Sequence, residues 1–97
     1  MNLEKAKEIV IQVILEVIES KHEISEQTQL IGSDNSLDSM QLVEVCLALE
    51  DLAEKYDFNF DWTSEAAMSK SHSMFRTVAT LAEEFFNQRY KNENQSN

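Results

Sequence analysis

The chain contains a single glycine, Gly32, and no proline in 97 residues. Turn-rich β folds need glycine or proline at frequent intervals. A chain almost without them is steered toward long helices joined by few connections. Its length suits one domain burying roughly 60–65% of its unfolded surface, and its 42% hydrophobic content is enough for a core. We expect an all-α bundle over residues 1–90, with the polar stretch 91–97 as a flexible tail.

Leu3, Ala6, Val10, Val13, Ile14 and Val17 recur at helical spacing. The same segment is rich in β-branched residues, which favour strands. Some eighteen residues without a turn signal exceed an ordinary strand, so length decides for a first helix from Leu3 to Ser20. Residues 21–37 are mostly polar and form a long connection, with Leu30 and Ile31 placed to plug it onto the core and Gly32 marking a turn.

A second helix is announced by unusually consistent local chemistry. Asp38 is a good N-cap, Gln41 stands three residues later as a capping box requires, and Leu37 and Leu42 are spaced as a hydrophobic staple. Ser39 then takes the first helical position, beside unpaired N–H groups and at the positive end of the helix dipole, where a phosphate is well placed. The helix should run to Tyr56, with Leu42, Val45, Cys46, Leu49, Ala53 and Tyr56 facing the core. Cys46 on that face reads as a small buried hydrophobe and not a reactive thiol. The other side mixes Met40 and Leu47 with Glu44 and Asp51, flanked by Gln41, Glu50 and Glu54. Apolar residues among acids suit a docking face for a partner whose Lys or Arg pairs with the acids.

Phe58, Phe60 and Trp62 alternate with Asn59 and Asp61, which points to an extended segment packed on one side. Asp57, Asn59 and Asp61 mimic the first ligands of a calcium loop. The sixth position is Trp62 and the twelfth Met68, where glycine and glutamate are needed, so calcium binding is rejected. The run from Asp34 fails the same way, at Ser39 and Val45. A short helix capped by Thr63 or Ser64 should reach Lys70, Ser71-His72-Ser73 should break the chain, and a last helix should run from Thr77 to Tyr90. Its stripe is Val78, Leu81, Ala82, Phe85 and Phe86.

The stretch Leu37-Asp38-Ser39-Met40, followed by Leu42-Val43-Glu44 and Ala48-Leu49-Glu50, resembles the acyl carrier protein family. The resemblance covers residues 3 to 86 and extends to the order of long helix, long loop, helix, short helix and final helix. It implies a small four-helix bundle with a long loop after the first helix and a short third helix. It also implies that Ser39 carries a covalent 4′-phosphopantetheine arm drawn from coenzyme A, whose thiol holds acyl cargo as a thioester. Implied partners are a phosphopantetheinyl transferase, with magnesium at the transferase's own site, a ligase that loads acyl or aminoacyl groups, and downstream enzymes of fatty acid, polyketide or related biosynthesis with basic docking patches. Asp38 is then placed to contribute to transferase or metal contacts besides capping the helix. Family members dock through the second helix, which adds Met40, Gln41, Glu44, Leu47, Glu50 and Asp51 as docking residues.

Two alternatives remain: a carrier of an activated amino acid, or a non-covalent acidic interaction module with Ser39 unmodified. In the family the space between helices can shelter cargo. The bulky rings of 58–62 should narrow it, which favours short, polar or aromatic cargo.

The charge distribution fits this reading. The net charge is −10, and between Glu23 and Ser69 eleven acids face one base, Lys55. Such a field repels nucleic acid and anionic membrane and attracts basic protein patches. A lone cysteine excludes an internal disulfide, and no signal peptide or bilayer-spanning run is visible, so a monomeric cytoplasmic protein is expected. No Ser/His/Asp set, glycine-rich phosphate loop or Cys/His cluster is present, and His22 and His72 lie far apart, so neither catalysis nor a metal site is expected of the chain itself.

Overall fold

The computed structural model describes residues 2–18, 24–31, 37–69 and 71–95. The turn expected at Gly32, the end of the first helix at Ser20, His22, Asp34 and Lys70 lie outside them. The described chain is all-α: α1 (Leu3–Ile18), α2 (Ser39–Lys55), α3 (Glu65–Ser69), α4 (Ser71–Met74) and α5 (Val78–Gln95). Among the described residues there is no strand, only one isolated antiparallel bridge between Gln29 and Thr77. Among the described residues no helix is long and apolar enough to cross a membrane.

Helix α1 packs against both α5 and α2. Its buried stripe is Ala6, Val10, Val13 and Ile14, while Leu3 and Val17 are half-buried. The β-branched residues that favour a strand locally are thus used as helical core residues, because burial against two helices outweighs propensity differences of a few tenths of a kcal/mol per residue. The core is completed by Val45, Leu49 and Ala53 of α2, by Val78, Leu81, Ala82 and Phe85 of α5, and by Leu30, Phe58, Phe60 and Met74. Phe85 sits at its centre, with the Phe58 ring edge-on at 5.1 Å and the Phe60 ring tilted at 5.4 Å. Such ring pairs contribute about 0.5–1.5 kcal/mol each beyond their burial.

The aromatic segment alternates as expected, with Phe58 and Phe60 buried, Trp62 half-buried, and Asn59 and Asp61 exposed. Two side chains hold it in place. Gln88 of α5 accepts from the Asp61 N–H (2.6 Å) and donates to the Asp61 carbonyl (2.8 Å), and so satisfies both backbone groups as a neighbouring strand would. Trp62 Nε1 donates to Glu50 Oε1 on α2 at 2.6 Å. The Asp61 carboxylate accepts from the Thr63 and Ser64 N–H groups, and Ser64 Oγ caps α3 by accepting from the Ala67 N–H.

Two expectations are corrected. Ser71-His72-Ser73 does not break the chain but belongs to the helical turn α4. The last helix runs to Gln95, past Tyr90 and into the stretch read as a tail. Neither segment carries a proline or glycine to stop a helix, and polar composition alone does not.

The described part of the long connection, 24–31, is fastened to the start of α5. Val78 and Ala79 N–H donate to the carbonyls of Thr28 (3.0 Å) and Glu26 (2.8 Å), and Leu30 N–H donates to the Arg76 carbonyl (3.1 Å). Leu30 is fully buried, while Ile31 is half-buried. Lys7 of α1 reaches Glu26 at 3.0 Å. That hydrogen bond raises the Lys7 ammonium above its ordinary 10.5.

Candidate functional site: the start and outer face of α2

The start of α2 is built from its own residues. Asp38 is extended (φ −79°, ψ 173°), its Oδ1 accepts from the Gln41 N–H at 2.8 Å, and Gln41 Oε1 accepts from the Asp38 N–H at 3.1 Å. The Leu42 N–H donates to the Asp38 carbonyl. Leu37 and Leu42 both pack half-buried on the core, as a staple requires. One tie reaches outside: Leu37 N–H donates to the Leu30 carbonyl at 3.0 Å, which hangs the helix start on the residue that plugs the loop.

These bonds satisfy the third and fourth N–H groups of the helix. Among the described residues, nothing accepts from the N–H groups of Ser39 and Met40. Ser39 is exposed in the first helical position beside them. A phosphate esterified to Ser39 Oγ fits here, because the position is open, two donors lack acceptors among the described residues, and the Asp38 carboxylate is turned into the cap.

The other end of α2 closes differently. Asp57 has φ 66°, the Phe58 N–H donates to the Ala53 carbonyl, and the Asp57 N–H donates to the Glu54 carbonyl. This is a Schellman closure with aspartate where glycine is usual. The acid weighed as a calcium ligand thus ends a helix, and no group of three or more His, Cys, Asp or Glu among the described residues could hold a metal.

The predicted docking residues divide into two sets. Met40 is 72% exposed and Leu47 48% exposed, and Glu44 and Asp51 stand exposed beside them. Gln41 is half-buried and engaged in the capping box, and Glu50 is half-buried under the Trp62 indole. Val43, 42% exposed, joins Met40 and Leu47 in an apolar stripe that the sequence reading passed over. Its signal was the spacing of 40, 43 and 47 along one helix face. Met68 of α3 is also exposed, at 60%.

Cys46 is buried as expected, and burial, with a smaller contribution from Glu50, pushes its thiol up to about 12. It is protonated at neutral pH and unsuited to act as a nucleophile.

Compared with known proteins, the chain matches no family model, no curated protein and no solved structure.

Proposed function

We propose that this chain is a carrier protein that bears a phosphopantetheine arm on Ser39 and presents cargo to partner enzymes. The observation that carries the reading is the exposed Ser39 at the head of a self-capped helix, with two neighbouring N–H groups for which the described residues supply no acceptor. The capping box keeps the first turn wound without covering the hydroxyl. The dipole of α2 and the Ser39 and Met40 N–H groups stabilise the phosphodiester charge. When bound, the arm supplies a terminal thiol that holds an acyl or aminoacyl group in activated form.

The chain's remaining task is recognition. Met40, Val43 and Leu47 form an apolar stripe that an enzyme can cover, and Glu44 and Asp51 beside it pair with a basic rim. The bundle is of the acyl-carrier kind in this reading, with α2 as its recognition helix and α3 and α4 together in the place of a short third helix.

The test is intact mass after incubation with coenzyme A, magnesium and a broad-specificity phosphopantetheinyl transferase. A single phosphopantetheine adduct is expected on the native chain and none on Ser39→Ala, with the fold unchanged by circular dichroism. Glu44→Lys and Asp51→Lys should each slow modification severalfold at low salt. Folded native protein that stays unmodified would defeat the proposal and leave the Met40–Val43–Leu47 face as that of a non-covalent interaction module.

A further inference from the structure

Between α1 and α2 runs a groove of about 360 Å³. Val13 and the half-buried Ile9 of α1, with the half-buried Leu52 of α2, form its floor, and Lys5, Gln12 and Glu16 stand exposed along its α1 side. Lys5, Ile9, Gln12 and Glu16 follow each other at spacings of four, three and four residues, which keeps them in one column on the helix. From Lys5 to Glu16 the column covers about three turns and roughly 16 Å. It begins with a cation and ends with an anion. Neither charge is strongly satisfied within its own chain. Lys5 meets Glu8 at 3.8 Å with both side chains in solvent, and such exposed pairs contribute little. Glu16 accepts a 3.3 Å hydrogen bond from Gln12 Nε2 and has no ion pair among the described residues.

We propose that this groove is a self-association face, covered by α1 of a second copy that runs antiparallel to the first. A twofold axis crossing α1 midway between Val10 and Ile11 sets Lys5 opposite Glu16 of the second copy and Glu16 opposite its Lys5. The same axis sets Ile9 opposite the stem of its Gln12, and Glu8 opposite its Val13, so no like charges face each other. Complementarity of this kind decides where a chain of net charge −10 can meet itself. Two copies repel each other through any face that carries acids alone. The outer face of α2 is such a face, because Met40, Val43 and Leu47 are accompanied there by Glu44 and Asp51. The α1 column instead offers acid and base at a twofold-compatible spacing. Leu52 stands about 140° around α2 from both Leu47 and Ser39. A second copy seated in the groove therefore leaves the outer stripe and Ser39 uncovered. The contact is one helix face wide, so the dimer belongs to the weak, reversible class. It departs from the monomer expected of the sequence, and it stands whether or not Ser39 carries an arm.

Sedimentation equilibrium of the full chain between about 1 μM and about 1 mM tests the proposal. Salt of about 0.15 M screens the net repulsion beyond roughly 8 Å and leaves the contact pairs in place. The native mass should rise with concentration from that of one chain toward twice that value. Lys5→Glu and Glu16→Lys each put like charges at both ends of the contact. Each should weaken association at least ten-fold while keeping the native helical circular dichroism. An equimolar mixture of the two variants restores opposite charges at both ends, and should associate as tightly as the native chain. Misfolding of either variant cannot produce that rescue. A native chain that stays single up to about 1 mM overturns the proposal. Association retained in both variants would put the contact elsewhere and overturns it as well, as does a mixture that fails to recover.

Discussion

At the start of α5 all four leading N–H groups are taken: Val78 and Ala79 by the Thr28 and Glu26 carbonyls, about fifty residues earlier in the chain, and Thr80 and Leu81 by Thr77. At the start of α2, among the described residues, only the third and fourth are taken, both by Asp38, one residue before the helix. The two helices meet the same obligation, one by pressing a loop against its end and the other with a side chain. A helix end covered by a loop is closed to an enzyme. One capped by its own residue keeps its first turn wound and its first residue accessible, as the modification proposed for Ser39 would require.

The sharpest way to break the comparison is at Leu30, fully buried and the point from which the loop reaches both helix starts. Leu30→Ala should cost about 2–5 kcal/mol in urea unfolding. It should also raise amide exchange at Val78 and Ala79 more than at Gln41, whose acceptor is local. Equal loss of protection at the two helix starts would refute the claim that α2 closes by itself.

Smaller effects are expected at the caps. Asp38→Ala should cost about 1 kcal/mol, with most of it recovered in Asp38→Asn. Thr77→Ala should cost less, because the loop carbonyls still hold Val78 and Ala79. Thermal or urea melts of the three variants check the ranking, and a larger loss at Thr77 than at Asp38 would reverse the comparison.

The smallest effect concerns pH. Lys7 holds Glu26, whose carbonyl serves α5, and its ammonium is raised above 10.5 by that contact. The folded state therefore binds the proton more tightly. The stabilisation is full below 10.5 and is lost as pH rises through the higher folded value. Lys7→Met should lower the melting temperature slightly at pH 8, and the gap to the native chain should close above pH 10.5. Both chains should also lose stability above about pH 9, because Cys46 ionises near 9 when unfolded but only at about 12 when buried. A gap that persists at pH 11.5 would show that Lys7 contributes packing and not charge.

Asp57 has a physical role that its spacing to Asn59 and Asp61 does not reveal. The helix α2 closes at Tyr56, where the sequence places its end, although no glycine marks the turn. Aspartate tolerates positive φ better than most residues, so the helix closes there without the usual marker. Asp57→Gly should relieve the residual strain and leave melting unchanged or slightly raised.

The sequence by itself determined what depends on neighbours three or four residues apart: the Asp38–Gln41 box, Ser39 at the head of its helix, the buried stripes of α1 and α5, and the alternation of Phe58, Phe60 and Trp62. These follow from backbone periodicity, which a linear string records. Only the tertiary structure decided which polar groups were left for other uses. It drew Glu50 to Trp62 and Gln88 to Asp61, set Glu26 and Thr28 over α5, and left Val43 exposed beside Met40. Those outcomes depend on contacts between residues twelve to fifty-three positions apart. Such contacts are fixed by packing around Phe85 and Leu30 and leave no periodic trace in the chain.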